Sequence, residues 1–568
     1  MLDTPQQRTG PLATAMSFLP KASDFDLRFA RVDLLAGVTV AFVALPLALG
    51  FGVTSGAGAS AGIITAIVAG FVAALTGGSN FQVSGPTGAM TAVLLPIVAQ
   101  HGPAALPILC VLAGLILIVL GVVRLGRYVR YIPWPVVTGF TNGIGVIIFL
   151  QQLPNVLGVA QPRGESIVTI AYVSVREWAA SPGFTTIVLA VLTVLVMVFW
   201  RRIKALAGVP ASMAALIVVS LLSLTAPFAE VARIGAIPRS LPMPSLPVLG
   251  FTDAWVDLAR AALAIAVLSA LESLLSAVVA DGMTVGDKHD PDRELVGQGL
   301  GNIAAGLFGG LPATAALART AVNVRSGART RLAAMFHALT LLLVILFLAP
   351  LASRIPLAVL GGILMVVALR MVEARASRMI LRSTKSDAFV MVLTMVVTIA
   401  FDLILAIEVG LVAAAILFIV RMSTMFTVDP IKFEGRDIEP LMNTEDAAEL
   451  ALMRSHVVVF RVEGPIFFGA AERFIDQLVK VDQGIKVVVL RLRRVPVLDA
   501  TGVTALRAIH DRLKRRGIDL ILSGLQPQPA GVLKRTGVYV EITDDGRNDM
   551  ALTEQAIAEA KRRVAAPA

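Results

Sequence analysis

LARAALAIAVLSALESLLSAVVA, running from Leu258 to Ala280, is the stretch that decides how this chain is read. At about 1.5 Å per residue it is long enough to cross a bilayer as one helix. Near its middle stands Glu272, a carboxylate where hydrocarbon would otherwise surround it. A central acidic residue costs roughly 2.5–3.5 kcal/mol on insertion scales, so it must face protein or a water-filled cavity. Ser269, Glu272, Ser273 and Ser276 recur at helical spacing and share one face, while the other faces are Ala, Leu, Ile and Val. A lipid-facing anchor has no use for such a stripe, whereas a substrate or ion site does. The competing reading is a carboxylate hydrogen-bonded to a neighbouring helix for structure alone. Intramembrane ionisable groups are functional by default, which favours the site.

The rest of the chain supports a polytopic membrane protein. Hydrophobic residues make up 56% of its 568 residues and charged ones 15%, against about 25% in soluble proteins. The N-terminus lacks an apolar segment ahead of a small-residue cleavage site, so no removable signal peptide is expected. Cys110 is the single cysteine, which excludes an internal disulfide and argues against a thiolate metal site. The five histidines are scattered without ligand spacing. No cofactor or metal is therefore expected. The net charge of +10 reads as membrane topology and not as nucleic-acid binding.

Apolar runs broken by turn residues and charges give fourteen candidate spans between residues 33 and 427, leaving 1–32 as an N-terminal segment. Even-numbered connections carry basic clusters such as Arg124, Arg127 and Arg130, or Arg370, Arg375, Arg378, Arg382 and Lys385. Odd-numbered connections carry only isolated arginines. By the positive-inside rule both termini are cytoplasmic.

Two spans, the third (86–99) and the tenth (315–325), are too short to cross alone, and each follows a Gly/Pro break. Their sequences echo one another: Ala89-Met90-Thr91-Ala92-Val93 against Ala318-Arg319-Thr320-Ala321-Val322. Further echoes pair Ile67–Gly70 with Ile303–Gly306, and Ile132–Gly139 with Ile355–Gly362. Three echoes in one order indicate an internal duplication, with repeats over about 33–227 and 258–427. Seven spans is an odd number, so the second copy lies inverted. Short interrupted spans at matching positions point to a secondary transporter's binding site, with two half-helix N-termini converging near the midplane. Their free N–H groups and dipoles favour an anion. Arg319, one turn into the tenth span, either approaches the same focus or snorkels to the surface.

After Val428 the chain changes character. A polar connector at 428–450 leads to a soluble α/β domain, with HVVVFRV, KVVVLRL and IDLILSG as strands alternating with helical stretches such as AAERFIDQLVKV and VTALRAIHDRLKRR. No Walker loop or dinucleotide fingerprint appears, so ATP-driven transport finds no support.

Taken together, DLLAGVTVAFVALPLALGFG (Asp33–Gly52), SGPTGAMTAV (Ser84–Val93), IPWPVVTGFTNGIGV (Ile132–Val146), LESLLSAVVADGMT (Leu271–Thr284) and ELVGQGLGNIAAGLFGGLPATAALART (Glu294–Thr320) resemble the SulP family of anion transporters, whose members carry a C-terminal STAS domain, here 451–568. The resemblance implies a seven-plus-seven inverted repeat divided into core and gate domains, a homodimer, and elevator-like movement of core against gate. Carried over residue by residue, it places Phe51, Thr87, Ala89, Thr91, Ala318 and Arg319 at the substrate, and Glu272 and Ser276 at the coupling ion. Sodium-coupled bicarbonate members have Asp and Thr where this chain has Glu272 and Ser276, so a proton carrier is expected, with sodium as the alternative. In the STAS domain, Asp499-Ala500-Thr501-Gly502 resembles the phosphorylatable segment of anti-sigma-factor antagonists, which makes Thr501 a candidate phosphosite. The preferred reading there is a turn and N-cap opening a helix from Val503.

The expectation is an inner-membrane, multi-pass transporter and not an enzyme. It would move a small anion of the sulfate, bicarbonate or dicarboxylate class by proton symport. Sodium-coupled bicarbonate uptake and an anion channel or exchanger are the alternatives, and the STAS domain offers a surface for a cytoplasmic regulator. Glu272 is expected to be the only acidic residue deep in the core.

Overall fold

The computed structural model describes residues 25–162, 166–203, 209–247, 254–284, 286–401, 403–431, 453, 455–467, 474–475, 482 and 484–565. Backbone packing divides the chain into Met1–Val412 and Ala413–Ala568, a division that falls inside the last apolar helix.

In the first unit every apolar run becomes helical. The helices are α1 (Ala30–Thr54), α2 (Ala59–Thr76), α3 (Gly88–His101), α4 (Leu106–Val122), α5 (Trp134–Gln151), α6 (Thr185–Phe199), α7 (Ala211–Leu222), α8 (Trp255–Met283), α9 (Pro291–Leu307), α10 (Leu317–Arg325), α11 (Leu332–Ala352), α12 (Leu357–Met371), α13 (Lys385–Ala400) and α14 (Leu403–Thr424). Eight described apolar segments are long and apolar enough to cross a membrane by length and composition alone. The third and tenth spans are short, as expected, but so are α6 and α7, at 15 and 12 residues. Two surface helices that the apolar pattern did not announce, Ile167–Ala180 and Ala374–Arg382, lie in the α5–α6 and α12–α13 connections.

The inverted repeat is visible in which helices pack together. Shifting each helix number by seven maps one set of contacts onto another. Helix α4 packs along α9, and its repeat mate α11 packs along α2. Helix α1 packs along α11 and α8 along α4; α5 packs along α13 and α12 along α6. Helices in lipid gain little from hydrophobic burial against one another, so close approach of small residues must hold them. The α4–α9 crossing shows how. A Cβ on Gly114 would lie 2.6 Å from the Gly299 carbonyl oxygen, and a Cβ on Gly299 would lie 2.6 Å from that of Gly114. Either alanine would push the pair apart.

The breaks before the two half-helices are joined by the shortest possible sheet. Strand β1 (Ser84–Gly85) pairs antiparallel with β2 (Thr314–Ala315), Ser84 opposite Ala315 and Gly85 opposite Thr314. Non-helical backbone at membrane depth is tolerated only where protein satisfies it. Here side chains of α8 and α9 do so. Ser269 Oγ donates to the Ala313 carbonyl at 3.0 Å, and the Ala315 N–H donates to Ser273 Oγ at 3.1 Å. Asn302 brackets Ala313 from both sides, accepting its N–H at 2.8 Å and donating to its carbonyl at 2.9 Å.

In the second unit a five-stranded sheet has the order β3 (Thr427–Ile431), β4 (Val457–Glu463), β5 (Val487–Arg494), β6 (Asp519–Ser523) and β7 (Asp549–Met550). Among the described strands of this sheet only the β3–β4 pair is antiparallel. Helices α15 (Ala500–Arg515), α16 (Pro527–Arg535), α17 (Val538–Thr543) and α18 (Thr553–Ala565) accompany it. Val428–Ile431, read in the sequence as the start of a connector, forms most of the edge strand β3. The remainder of that connector, and most of AAERFIDQLVKV, lie outside the described residues.

Candidate functional site

The β1–β2 pair aims two helix starts at one place. Helix α3 begins after Thr87, whose side chain accepts from the Met90 N–H at 3.5 Å. The same hydroxyl donates to Glu272 Oε2 at 3.0 Å. A threonine hydroxyl has one proton to give, so Thr87 both caps α3 and ties it to the carboxylate of α8. Helix α10 begins after Ala316 with no side-chain cap on its positive end.

Arg319 does not snorkel. Its side chain is buried, with 1% of the residue exposed. Nη2 donates to the Pro86 carbonyl at 3.1 Å, while Nη1 is buried with no partner among the described residues. The guanidinium lies against Gly85, where a Cβ would come within 2.6 Å of Nη1. Gly85 (φ +154°) is therefore the residue that lets β1 pass beneath a cation. Arg319 and Glu272 interact electrostatically across the same focus. A guanidinium with one unpartnered nitrogen, a carboxylate and two helix N-termini can together hold an anion and a proton.

The other expected residues divide. Phe51 and Ala89 are buried at the start of α3; a Cβ on Gly88 would overlap Ile148 and come within 3.2 Å of the Phe51 ring. Thr91 turns away from the focus, donating its one proton to the Gly88 carbonyl at 2.7 Å, with Gln151 Oε1 3.1 Å from the same hydroxyl. Ala318 is exposed in the first turn of α10. Ser276 Oγ is buried one turn beyond Glu272, with no partner among the described residues. Of the polar stripe on α8, Ser269 and Ser273 serve β2 and only Glu272 reaches α3.

Two acids are more deeply buried than the half-buried Glu272, although both lie in the first turns of their helices and not at midspan. Asp33 accepts from the Arg329 and Thr330 N–H groups at 2.7 and 3.2 Å, and Glu294 from those of Gly78 and Ser79 at 2.8 and 3.0 Å. Both fasten chain turns. The sequence reading missed them, and Gln151 and Gln298 as well, because their partners are distant in sequence. Gln298 donates to Ser84 Oγ at 2.7 Å and to Glu294 Oε1 at 2.8 Å, anchoring β1. Its one signal was its place, polar within an apolar run.

A cavity reaches Glu272 from the side of α5 and α12, lined among others by Ile144, Phe140, Leu271, Leu275 and Met371. The two-fold pattern fails here. Helix α1 rests against α12 and α7, but beside its repeat mate α8 the cavity stands where the equivalent packing would be. Helix α1 is thus packed where its mate α8 borders a cavity.

In the second unit, α15 opens at Ala500, three residues earlier than expected. Asp499 is the N-cap, accepting from the Gly502 N–H at 2.7 Å. Thr501 is exposed in the first turn and does not cap the helix.

Residues 31–394 match the model of the sulfate permease family, and residues 451–556 that of the STAS domain. YvdB of Bacillus subtilis (strain 168) is 35% identical over 532 residues, 93% of this chain and 97% of that protein. The bicarbonate transporter BicA of Synechocystis (strain PCC 6803) is 35% identical over 520 residues, 89% of this chain and 90% of that one. The structure of the murine Solute Carrier 26 family member A9 anion transporter superposes with a TM-score of 0.83 at 17% identity, over 99% of this chain and 96% of that one. At that identity the likeness concerns the fold.

Proposed function

The chain belongs to the sulfate permease family, and we propose that it is a secondary active transporter coupling anion uptake to a proton carried on Glu272. It is an anion transporter and not an enzyme. The observation that carries the coupling is the Thr87–Glu272 hydrogen bond at 3.0 Å, which sets a carboxylate beside the helix end that would hold the anion.

The charge arithmetic follows from three groups. With Glu272 ionised, its carboxylate repels an incoming anion and offsets the attraction of Arg319. A proton on Glu272 removes that repulsion and leaves Arg319 and the two helix dipoles to the anion. Proton and anion then bind together or not at all, which is what symport requires. The Thr87 hydroxyl donates to the ionised carboxylate, and protonation loosens that tie and frees the α3 cap to donate to substrate. The packing at α1 and the cavity beside α8 correspond to one end state of alternating access, in an elevator-like movement within a homodimer. On the charge bias of the connections, both termini lie in the cytoplasm and the membrane is the inner one. The STAS domain, with Thr501 exposed, offers a regulator its surface.

Sulfate as the substrate has behind it the 35% identity to YvdB, a putative sulfate transporter, and bicarbonate the equal identity to BicA. In the bicarbonate reading Ser276 Oγ, unpartnered one turn from Glu272, would join Glu272 and Thr87 around a sodium ion. Uptake into proteoliposomes decides, using sulfate, bicarbonate and a dicarboxylate under an imposed proton or sodium gradient. Accumulation driven by protons in sodium-free medium is the expected result. Accumulation that requires sodium would replace the proton, and equilibration without accumulation would indicate a channel or exchanger.

A further inference from the structure

The surface helix Ala374–Arg382 joins two helices read as crossing the bilayer, α12 and α13, so it must lie at one membrane surface. Arg375, Arg378 and Arg382 follow the i, i+3, i+7 spacing and share one face of it. All three are exposed, and among the described residues none forms an ion pair. They line a single cleft together with Met379 and Ser383. The opposite face is anchored: Ile380 is buried, and Ser377 Oγ accepts from Asn142 Nδ2 at 2.7 Å.

Stacking like charges three and four residues apart destabilises a helix, so the arrangement calls for a counter-charge. The repeat mate, at the opposite membrane surface of the inverted repeat, lacks the cluster. Ile167–Ala180 occupies the matching α5–α6 connection and carries one arginine, Arg176, followed by Glu177. A surface helix stands in both places; the three arginines stand only on the connection that the charge bias places in the cytoplasm, where the leaflet carries anionic lipid.

The neighbourhood is apolar as well as cationic. Met379 and Leu381 are 56% and 54% exposed, and Phe389, one turn into α13, is 57% exposed. A soluble anion would gain nothing from these side chains, whereas an amphiphile at the membrane surface would use both features. We propose that this cleft binds the phosphate headgroup of an anionic glycerophospholipid, with the arginines on the phosphate and the acyl chains along Met379, Leu381 and Phe389.

The test uses the full-length protein in nanodiscs of phosphatidylcholine containing a fraction of phosphatidylglycerol. Lipid released with the protein is quantified by native mass spectrometry. The intact chain should retain phosphatidylglycerol several-fold above its bulk fraction, and R375Q/R378Q/R382Q should bring its share back to that bulk fraction. R375K/R378K/R382K, which keeps the charge, should retain most of it. Substrate binding to the glutamine variant should be unchanged, which also reports that it has folded. Equal enrichment in the intact and glutamine proteins would overturn the site. So would thermal stabilisation by millimolar inorganic phosphate that depends on the arginines while lipid enrichment does not.

Discussion

Helices α3 and α10 occupy repeat-equivalent places behind paired two-residue strands, and they begin differently. Helix α3 opens at Thr87, whose hydroxyl caps the helix and ties it to Glu272. Helix α10 opens with no side-chain cap and places the buried Arg319 one turn in. One helix end is therefore adjustable, its charge environment set by whether Glu272 holds a proton. The other carries a fixed cation. Duplication supplied two equal dipoles, and the side chains turned one into a switch and the other into a holder.

The largest effect should come from disabling the adjustable end. Glu272→Gln cannot ionise, so anion binding should persist and lose its pH dependence, while proton-driven accumulation in proteoliposomes falls to background. Accumulation at the normal rate would end the assignment of the proton to Glu272. Next is the fixed end. Arg319→Ala removes charge-assisted bonds of about 1.5–3 kcal/mol, a ten- to hundredfold loss of affinity by calorimetry. The loss should be greater for a divalent than a monovalent anion, and unchanged affinity would leave the helix ends as sole holders. A smaller change is expected from Thr87→Val, which removes the α3 cap and its tie to the carboxylate. A cap is worth roughly 1 kcal/mol, so affinity should fall about fivefold and the pH profile of binding should shift. An unshifted profile would separate Thr87 from the coupling. The smallest effect, none on equilibrium binding, is expected from ending the chain near Val428, because every candidate ligand precedes that point. Loss of binding in a folded truncation would bring the STAS domain into the site.

Much of this was legible without coordinates because it rests on local pattern. Hydrophobic runs marked each membrane helix, since lipid demands apolar length whatever the neighbours are. The Gly/Pro breaks marked the half-helices, and the echo between Ala89–Val93 and Ala318–Val322 marked the duplication. Polar residues in apolar runs singled out Glu272 and Arg319. The surface helices Ile167–Ala180 and Ala374–Arg382 escaped because an amphipathic turn at the membrane surface has neither the length nor the continuity of a span.

What each polar residue does was decided only in three dimensions. Ser269, Glu272 and Ser273 share a helix face and look alike in sequence. Yet two of them satisfy backbone groups of β2 and the residue before it and one meets Thr87, because that segment lies 42 to 44 positions away and Thr87 lies 185 away. Asp33 and Glu294 read as acids near helix starts, and only the approach of distant N–H groups made them fasteners. The cavity beside Glu272 is likewise a tertiary fact: the repeats are alike in sequence, but α1 packs against α12 and α8 borders a cavity. The sequence determined which segments enter the membrane and where they break, since solvation acts on each segment separately. Partnership between buried polar groups depends on distances across the bundle, and those exist only once the helices have packed.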